Sequence, residues 1–311
     1  MKRSLHLLAL AALIALAFLA PLACAGQGAP PFRTEDPETP GNRHLEFNFG
    51  AAGNRNPSDG EYELPSLDLA YGLGSRMQLK YELPLVVAET RPTADDPTDG
   101  RVIGGLGHSV LGAKLRFYQH TPGNSWIWHG RSEKREGAES PEEEPSFAAS
   151  IFPRLSLDNP TRSVARGVIE RGPNLLLPVE VSARMGPIHL NGEAGYQFGN
   201  RDVPQSWVRG LMIGHDFRRG TQAYIEIYDR QDANRIDGLQ KRRDATAELG
   251  GRQTLGRHKR VLLLLMGGRS FQSVVPERSQ PSWIAYVGVR FILGPEEAVS
   301  EREEEPGKKE D

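Results

Sequence analysis

The sequence predicts an all-β protein, a transmembrane up-and-down antiparallel β-barrel of about twelve strands. Three observations predict it. Apolar and polar residues alternate with a period of two, again and again, from Arg43 onward. The alternating segments are about 9–11 residues long, the length a tilted strand needs to cross a bilayer. Short and long connections follow one another in turn, as they do between strands that run up and down a barrel wall. Gly (34) and Pro (23) are plentiful, which suits many strands and turns better than helices.

The segment "MQLKYELPL" (77–85) shows the pattern most plainly: Met77, Leu79, Tyr81, Leu83 and Leu85 share one face, with Lys80 and Glu82 on the other. Pattern alone places strands at 43–52, 62–71, 77–86, 109–118, 147–157, 174–183, 188–198, 206–216, 221–229, 243–254, 260–270 and 283–292. The tight turns are "GLGSR" (72–76), "RMGP" (184–187), "FRRGT" (217–221) and "LGRHK" (255–259). Longer polar links fall at 53–61, 87–108, 158–173, 199–205, 230–242 and 271–282. One link breaks the alternation. Residues 119–146 are long yet fall on the short-turn side, and "SEKREGAESPEEEP" within them reads as a flexible acidic insertion. A soluble β-sandwich also alternates, but it gives shorter strands and no segregation of aromatic residues at the rims.

A lipid-facing surface must be apolar, so the polar residues of each strand point to the lumen. The lumen-lining candidates are Lys80 and Glu82, then Lys114 and Arg116, then Arg154. Glu180 and Arg184 follow, then Glu193, Glu226, Glu248 and Arg252, and last Arg290. They form either a constriction that sorts solutes by size and charge or cross-strand pairs that stiffen the barrel. The signs are mixed, so strong ion selectivity is not predicted. Twelve strands imply a narrow or partly plugged lumen. Tyr71, Phe117, Phe147 and Phe291 are expected at the periplasmic membrane interface, and Phe198, Trp207 and Trp283 at the outer one. Arg209 is an exception on an apolar face. The segment "VLLLLM" is apolar on both faces, and its register does not follow from pattern.

Residues 1–25 have the form of a signal peptide. Lys2 and Arg3 precede "LHLLALAALIALAFLA", and "ACA" (23–25) fits cleavage after Ala25. That cleavage removes Cys24, the only cysteine; the alternative is a lipoprotein that keeps it acylated. Residues 26–42 are expected as a Pro-rich periplasmic lead-in, in preference to a plug folded into the lumen. The barrel spans 43–293, and 294–311 reads as an acidic disordered tail. The resulting localisation is the bacterial outer membrane.

No nucleic-acid partner is expected from a net charge of -2. No cofactor or metal site is expected either, since no His/Asp/Glu cluster has ligand spacing. His108 and Ser109 are adjacent, but neighbouring strand residues point to opposite faces, which is poor geometry for a catalytic pair. No enzyme activity is expected.

The stretch "PPFRTEDPETPG" (30–41) resembles the opening of the outer-membrane proteins grouped as the phenol-degradation meta-pathway family of transporters. The likeness continues through "YELPSLDLAYGLGSRMQLKYELPL", "GLGHSVLGAKLRFY", "LDNP" and "GPNLLLPVEV". The resemblance implies a β-barrel and passage of small, hydrophobic or aromatic compounds; it carries over no site residues. The 119–146 insertion and the acidic tail depart from it. "GVRF" (288–291) resembles an outer-membrane assembly signal, which implies the barrel-assembly machinery as a partner, beside outer-membrane lipid, lipopolysaccharide and a small-molecule solute. The alternative function is a closed structural barrel that binds a periplasmic partner.

Overall fold

The computed structural model describes residues 30–57, 59–92, 100–121, 124–127, 146–200, 203–217, 220–233, 243–256, 260–272 and 282–295. The expected signal peptide at 1–25, most of the expected acidic insertion and residues 296–311 lie outside them.

Fifteen strand segments form one sheet. In chain order they are β1 (Leu45–Arg55), β2 (Asp59–Leu73), β3 (Met77–Thr90), β4 (Arg101–Leu106) and β5 (Ser109–Thr121). Next come β6 (Asn124–Ile127), β7 (Phe147–Ile151), β8 (Arg154–Leu157), β9 (Asn174–Met185) and β10 (Ile188–Phe198). The last five are β11 (Ser206–Asp216), β12 (Thr221–Asp232), β13 (Arg243–Leu255), β14 (Val261–Gln272) and β15 (Trp283–Leu293). All neighbours are antiparallel, and β1 pairs with both β2 and β15, which closes the sheet. β4 and β5 pair in succession with β3 and occupy one wall position. β7 and β8 share another, between β5 and β9. With β6 set aside, the barrel has 12 strands, and each coincides with a segment of the sequence pattern. Among the described residues, each of the 12 wall positions is paired on both sides, as a sheet in lipid requires, while β4 and β6 pair on one side only.

The faces follow the alternation. Along β3, Gln78, Lys80 and Glu82 are buried inside while Met77, Leu79 and Tyr81 are exposed outside. The same outward exposure recurs around the wall: Val179 46%, Ile213 52%, Leu249 62%, Leu265 50% and Val287 49%. An apolar belt of this extent is far larger than a water-soluble monomer carries.

Two boundaries differ from the pattern. The polar link at 87–108 is shorter, because β3 runs on to Thr90 and pairs with β4. The link expected from 119 onward starts later, because β5 extends to Thr121 and folds back onto β6, with Tyr118 opposite Ile127. The "VLLLLM" register is also set: Leu262, Leu264 and Met266 point inward and Leu265 outward.

Candidate functional site

The lumen is not empty. Residues 30–36 run inside it, and 38–44 reach the short-turn end, where Thr39 donates to the Ser75 carbonyl and Gly74 N–H donates to Asn42. Of the two expectations for this segment, a lead-in and a plug, the described residues have features of both: 30–36 lie inside the barrel, and 38–44 lead out to β1. Its composition, rich in Pro and charge, reads locally as a loop, and only contacts across the whole chain hold it inside.

Its backbone is gripped by carboxylates. Glu226 of β12 accepts from the N–H groups of both Arg33 and Thr34, and Glu193 of β10 accepts from the Glu35 N–H. Such charge-assisted bonds are roughly twice as strong as neutral ones. Thr34 fits because β11 has Gly210 beneath it. A Cβ there would lie 2.9 Å from Thr34 Cβ and closer still to Oγ1.

The side chains separate by chemistry. Glu35 points to β3 and β5, with Lys80 Nζ at 2.7 Å and Lys114 Nζ at 3.0 Å. Lys80 also meets Glu82 at 2.8 Å and Asp68 at 3.2 Å, and Lys114 meets Glu180 at 3.4 Å. Arg154 pairs with Glu193. The Phe152 ring, fully buried, lies 4.8 Å from Lys114 Nζ and within cation–π reach of Lys80 and Arg154. Burial opposes ionisation of Glu35, but Lys114, Lys80 and Arg154 outweigh it and hold its carboxyl well below the usual carboxylate range.

Phe32 points the other way. It packs edge-on to Tyr224 at 5.5 Å, in a cluster with Met212, Leu262, Leu264, Met266 and Tyr286. This cluster explains the second apolar face of β14: one face meets the exterior, the other meets Phe32. Arg33 returns to charge, 3.3 Å from Glu248.

The remaining lumen candidates lie toward the short-turn end. Arg116 donates to the Ser75 carbonyl, Arg184 pairs with Asp216, and Arg252 donates to Gln222. These three arginines face Glu38, whose carboxyl is nonetheless pushed up by the charge of Asp36 beside it and by burial. Arg290 donates to Asn48 at 2.7 Å and to the Pro30 carbonyl at 3.1 Å, and lies 3.3 Å from Glu46. Sequence reasoning missed Phe32, Glu35, Asp68, Phe152 and Gly210. The one signal for them was the unexplained inward apolar face of β14.

On the long-loop side of the plug lies a cavity of about 600 Å³. Pro30, Pro31, Phe32 and Arg33 form its floor, and Val168, Ile169 and Glu170 reach it from the 158–173 connection. His108 faces Asp158 at 3.7 Å, whereas the Ser109 hydroxyl bonds Asn159 at 2.6 Å, so the two diverge.

Aromatic residues sit at both ends of the wall. Tyr71 and Phe291 are exposed at the short-turn end, where Phe291 stacks on Phe47 at 6.2 Å. Phe147 there packs edge-on to Tyr118, and Phe117 sits half-buried at a register shift in β5. At the long-loop end Tyr196 contacts both Phe198 and Trp207, and Trp283 lies under Arg269.

This arrangement defines a class: a closed antiparallel barrel with a lipid-type exterior. Solved structures share that fold. An outer membrane channel from Pseudomonas putida F1 matches with a TM-score of 0.58 at 16% sequence identity, over 83% of this chain and 97% of that chain. The NanC porin matches with a TM-score of 0.51 at 7% identity, over 79% of this chain and 100% of that chain. At these identities the likeness establishes the fold, that of outer-membrane β-barrels. No family model matches the chain, and neither does any curated protein.

Proposed function

We propose that the protein is an outer-membrane channel for passive uptake of small solutes, closed in the state described by residues 30–36. The observation that carries this reading is the lumen itself. A mixed polar and apolar cavity opens above a segment that is tied to the wall by side-chain contacts, not by a β-ladder. A closed structural barrel has no need of such a cavity. Hydrophobic or aromatic solutes are favoured by the resemblance to the phenol-degradation meta-pathway family. The apolar floor around Phe32 and Tyr286 supports the same class.

On this reading the aromatic rims lie at the two membrane interfaces, with the short-turn end in the periplasm. Outer-membrane lipid and lipopolysaccharide surround the belt. Assembly uses the machinery that reads the Gly288–Phe291 stretch at the end of β15.

Single-channel recording of the refolded protein in a planar bilayer tests the function, with and without small aromatic solutes. Discrete conductance steps that these solutes block support it. A folded, inserted Phe32→Ala variant that passes no current contradicts it and leaves the structural barrel with a periplasmic partner.

A further inference from the structure

We propose that the cavity above the plug is a receptor site for a small organic cation with an apolar body, such as an arylalkylammonium. As the solute class of the channel it rests on the reading above; as a binding site it stands on the cavity alone. Its volume of about 600 Å³ lies within the usual range for small-ligand pockets. Pro31 and Phe32 of the floor, with Met266 and Tyr286 of the wall, supply the apolar part of the lining.

Among the described residues, the rest of the lining carries an excess of negative charge. The carboxylates of Glu61, Glu63 and Asp68 line it from β2 and that of Glu82 from β3, while Glu170 and Asp244 face it from the long-loop side. Among the described residues, the arginines that line it are Arg33, Arg154 and Arg230. Two of these are engaged with Glu248 and Glu193, and the third donates to Ser206. Asp68 and Glu82 share the single ammonium of Lys80 with Glu35. Asp68 is 5% exposed, and its Oδ1 accepts no hydrogen bond among the described residues. Glu61 of β2 feels Arg33 as an opposite charge and, less strongly, Glu170 of the 158–173 connection as a like one.

A concave wall with a net excess of one sign focuses its field into the space it encloses. An ammonium with an apolar body placed there gains that field and the apolar contact of Phe32 and Tyr286. A carboxylate of the same shape gains the same apolar contact and meets repulsion. The cavity therefore sorts aromatic solutes by charge, which the mixed signs of the lumen as a whole conceal.

The test uses the refolded full barrel in detergent at low salt and three probes of one shape: para-fluorobenzylammonium, para-fluorobenzyl alcohol and para-fluorobenzoate. Fluorine NMR reads their binding, with empty micelles as the blank. We expect the ammonium to bind about tenfold more tightly than the alcohol and the benzoate to bind most weakly. A Glu61→Gln/Glu170→Gln variant should bring the ammonium close to the alcohol. Glu89→Gln, a change outside the lining, should leave the order intact. Equal binding of ammonium and alcohol, tighter benzoate, or an ammonium affinity untouched by the double change overturns the proposal. Planar-bilayer recording of the same preparations separates the two readings. Ammonium binding without conductance keeps the site and removes the channel; conductance without ammonium preference does the reverse.

Discussion

The two sides of the lumen hold one short segment by opposite means. The wall of β11–β15 offers Met212, Tyr224, Leu262, Leu264 and Met266 to Phe32. The wall of β3–β10 offers Lys80, Lys114 and the Arg154–Glu193 pair to Glu35. Burying a Phe side chain is favourable by about 1.5–3 kcal/mol. Burying an ion pair is nearly neutral, because desolvation cancels most of the attraction, but removing one partner of the pair is costly. The apolar wall thus supplies affinity, and the charged wall fixes how far the segment enters and which way it faces. The segment joins no β-ladder, so its withdrawal would break no strand pairing.

Each half of that comparison can be broken separately. Phe32→Ala should weaken docking of the plug most, by about 3–5 kcal/mol, the usual cost of emptying a buried Phe site. Current through the barrel should rise, while the temperature at which the barrel itself unfolds stays nearly constant. Gly210→Val acts on neither chemistry. It places bulk where Thr34 sits, and a forced overpacking costs about 1–3 kcal/mol, again read as increased open-channel time.

Glu35→Gln should cost about 1–3 kcal/mol, less than Phe32→Ala, because Lys80 keeps Asp68 and Glu82, and Lys114 keeps Glu180. The same group sets a pH dependence. Its carboxyl is depressed in the docked state, so its contribution is fully present above the free-chain value of about 4.3 and is lost as pH falls through the docked value. Glu35 should therefore add no change in current between neutrality and mild acid, and should loosen the plug only in strong acid. In Glu35→Gln that acid step is absent. The smallest effect should come from salt. Raising ionic strength screens exposed pairs far more than buried ones, so plug release should change little, whereas ammonium binding in the cavity should weaken clearly.

The same contrast explains what was legible in the sequence. All the barrel strands could be read, because alternation is a local record of two different environments on the two faces of one strand. Lys80, Glu82, Lys114 and Glu193 fell on the inner face for the same reason. Their partners could not be read. Glu35 lies 45 residues from Lys80, and Arg33 lies 193 residues from Glu226, and nothing near Pro30 or Phe32 records a contact that far along the chain. β14 carried the only local trace. Leu262 and Leu264 face a lumen that should be polar, which is intelligible once Phe32 is known to cover them.

The most direct measurement locks and releases the plug in one molecule. Thr34→Cys and Gly210→Cys place two thiols on a contact where the Cβ positions lie 2.9 Å apart. A small outward shift brings them to the roughly 3.5–4.5 Å of a disulfide. The conductance of this variant, refolded from residue 26 onward, is recorded before and after a reductant. The predicted result is a cross-linked barrel that stays closed when oxidised and shows larger, more frequent openings once reduced. A folded barrel in which the cross-link never forms, or one that conducts equally in both states, would contradict a lumen closed by its own N-terminal segment.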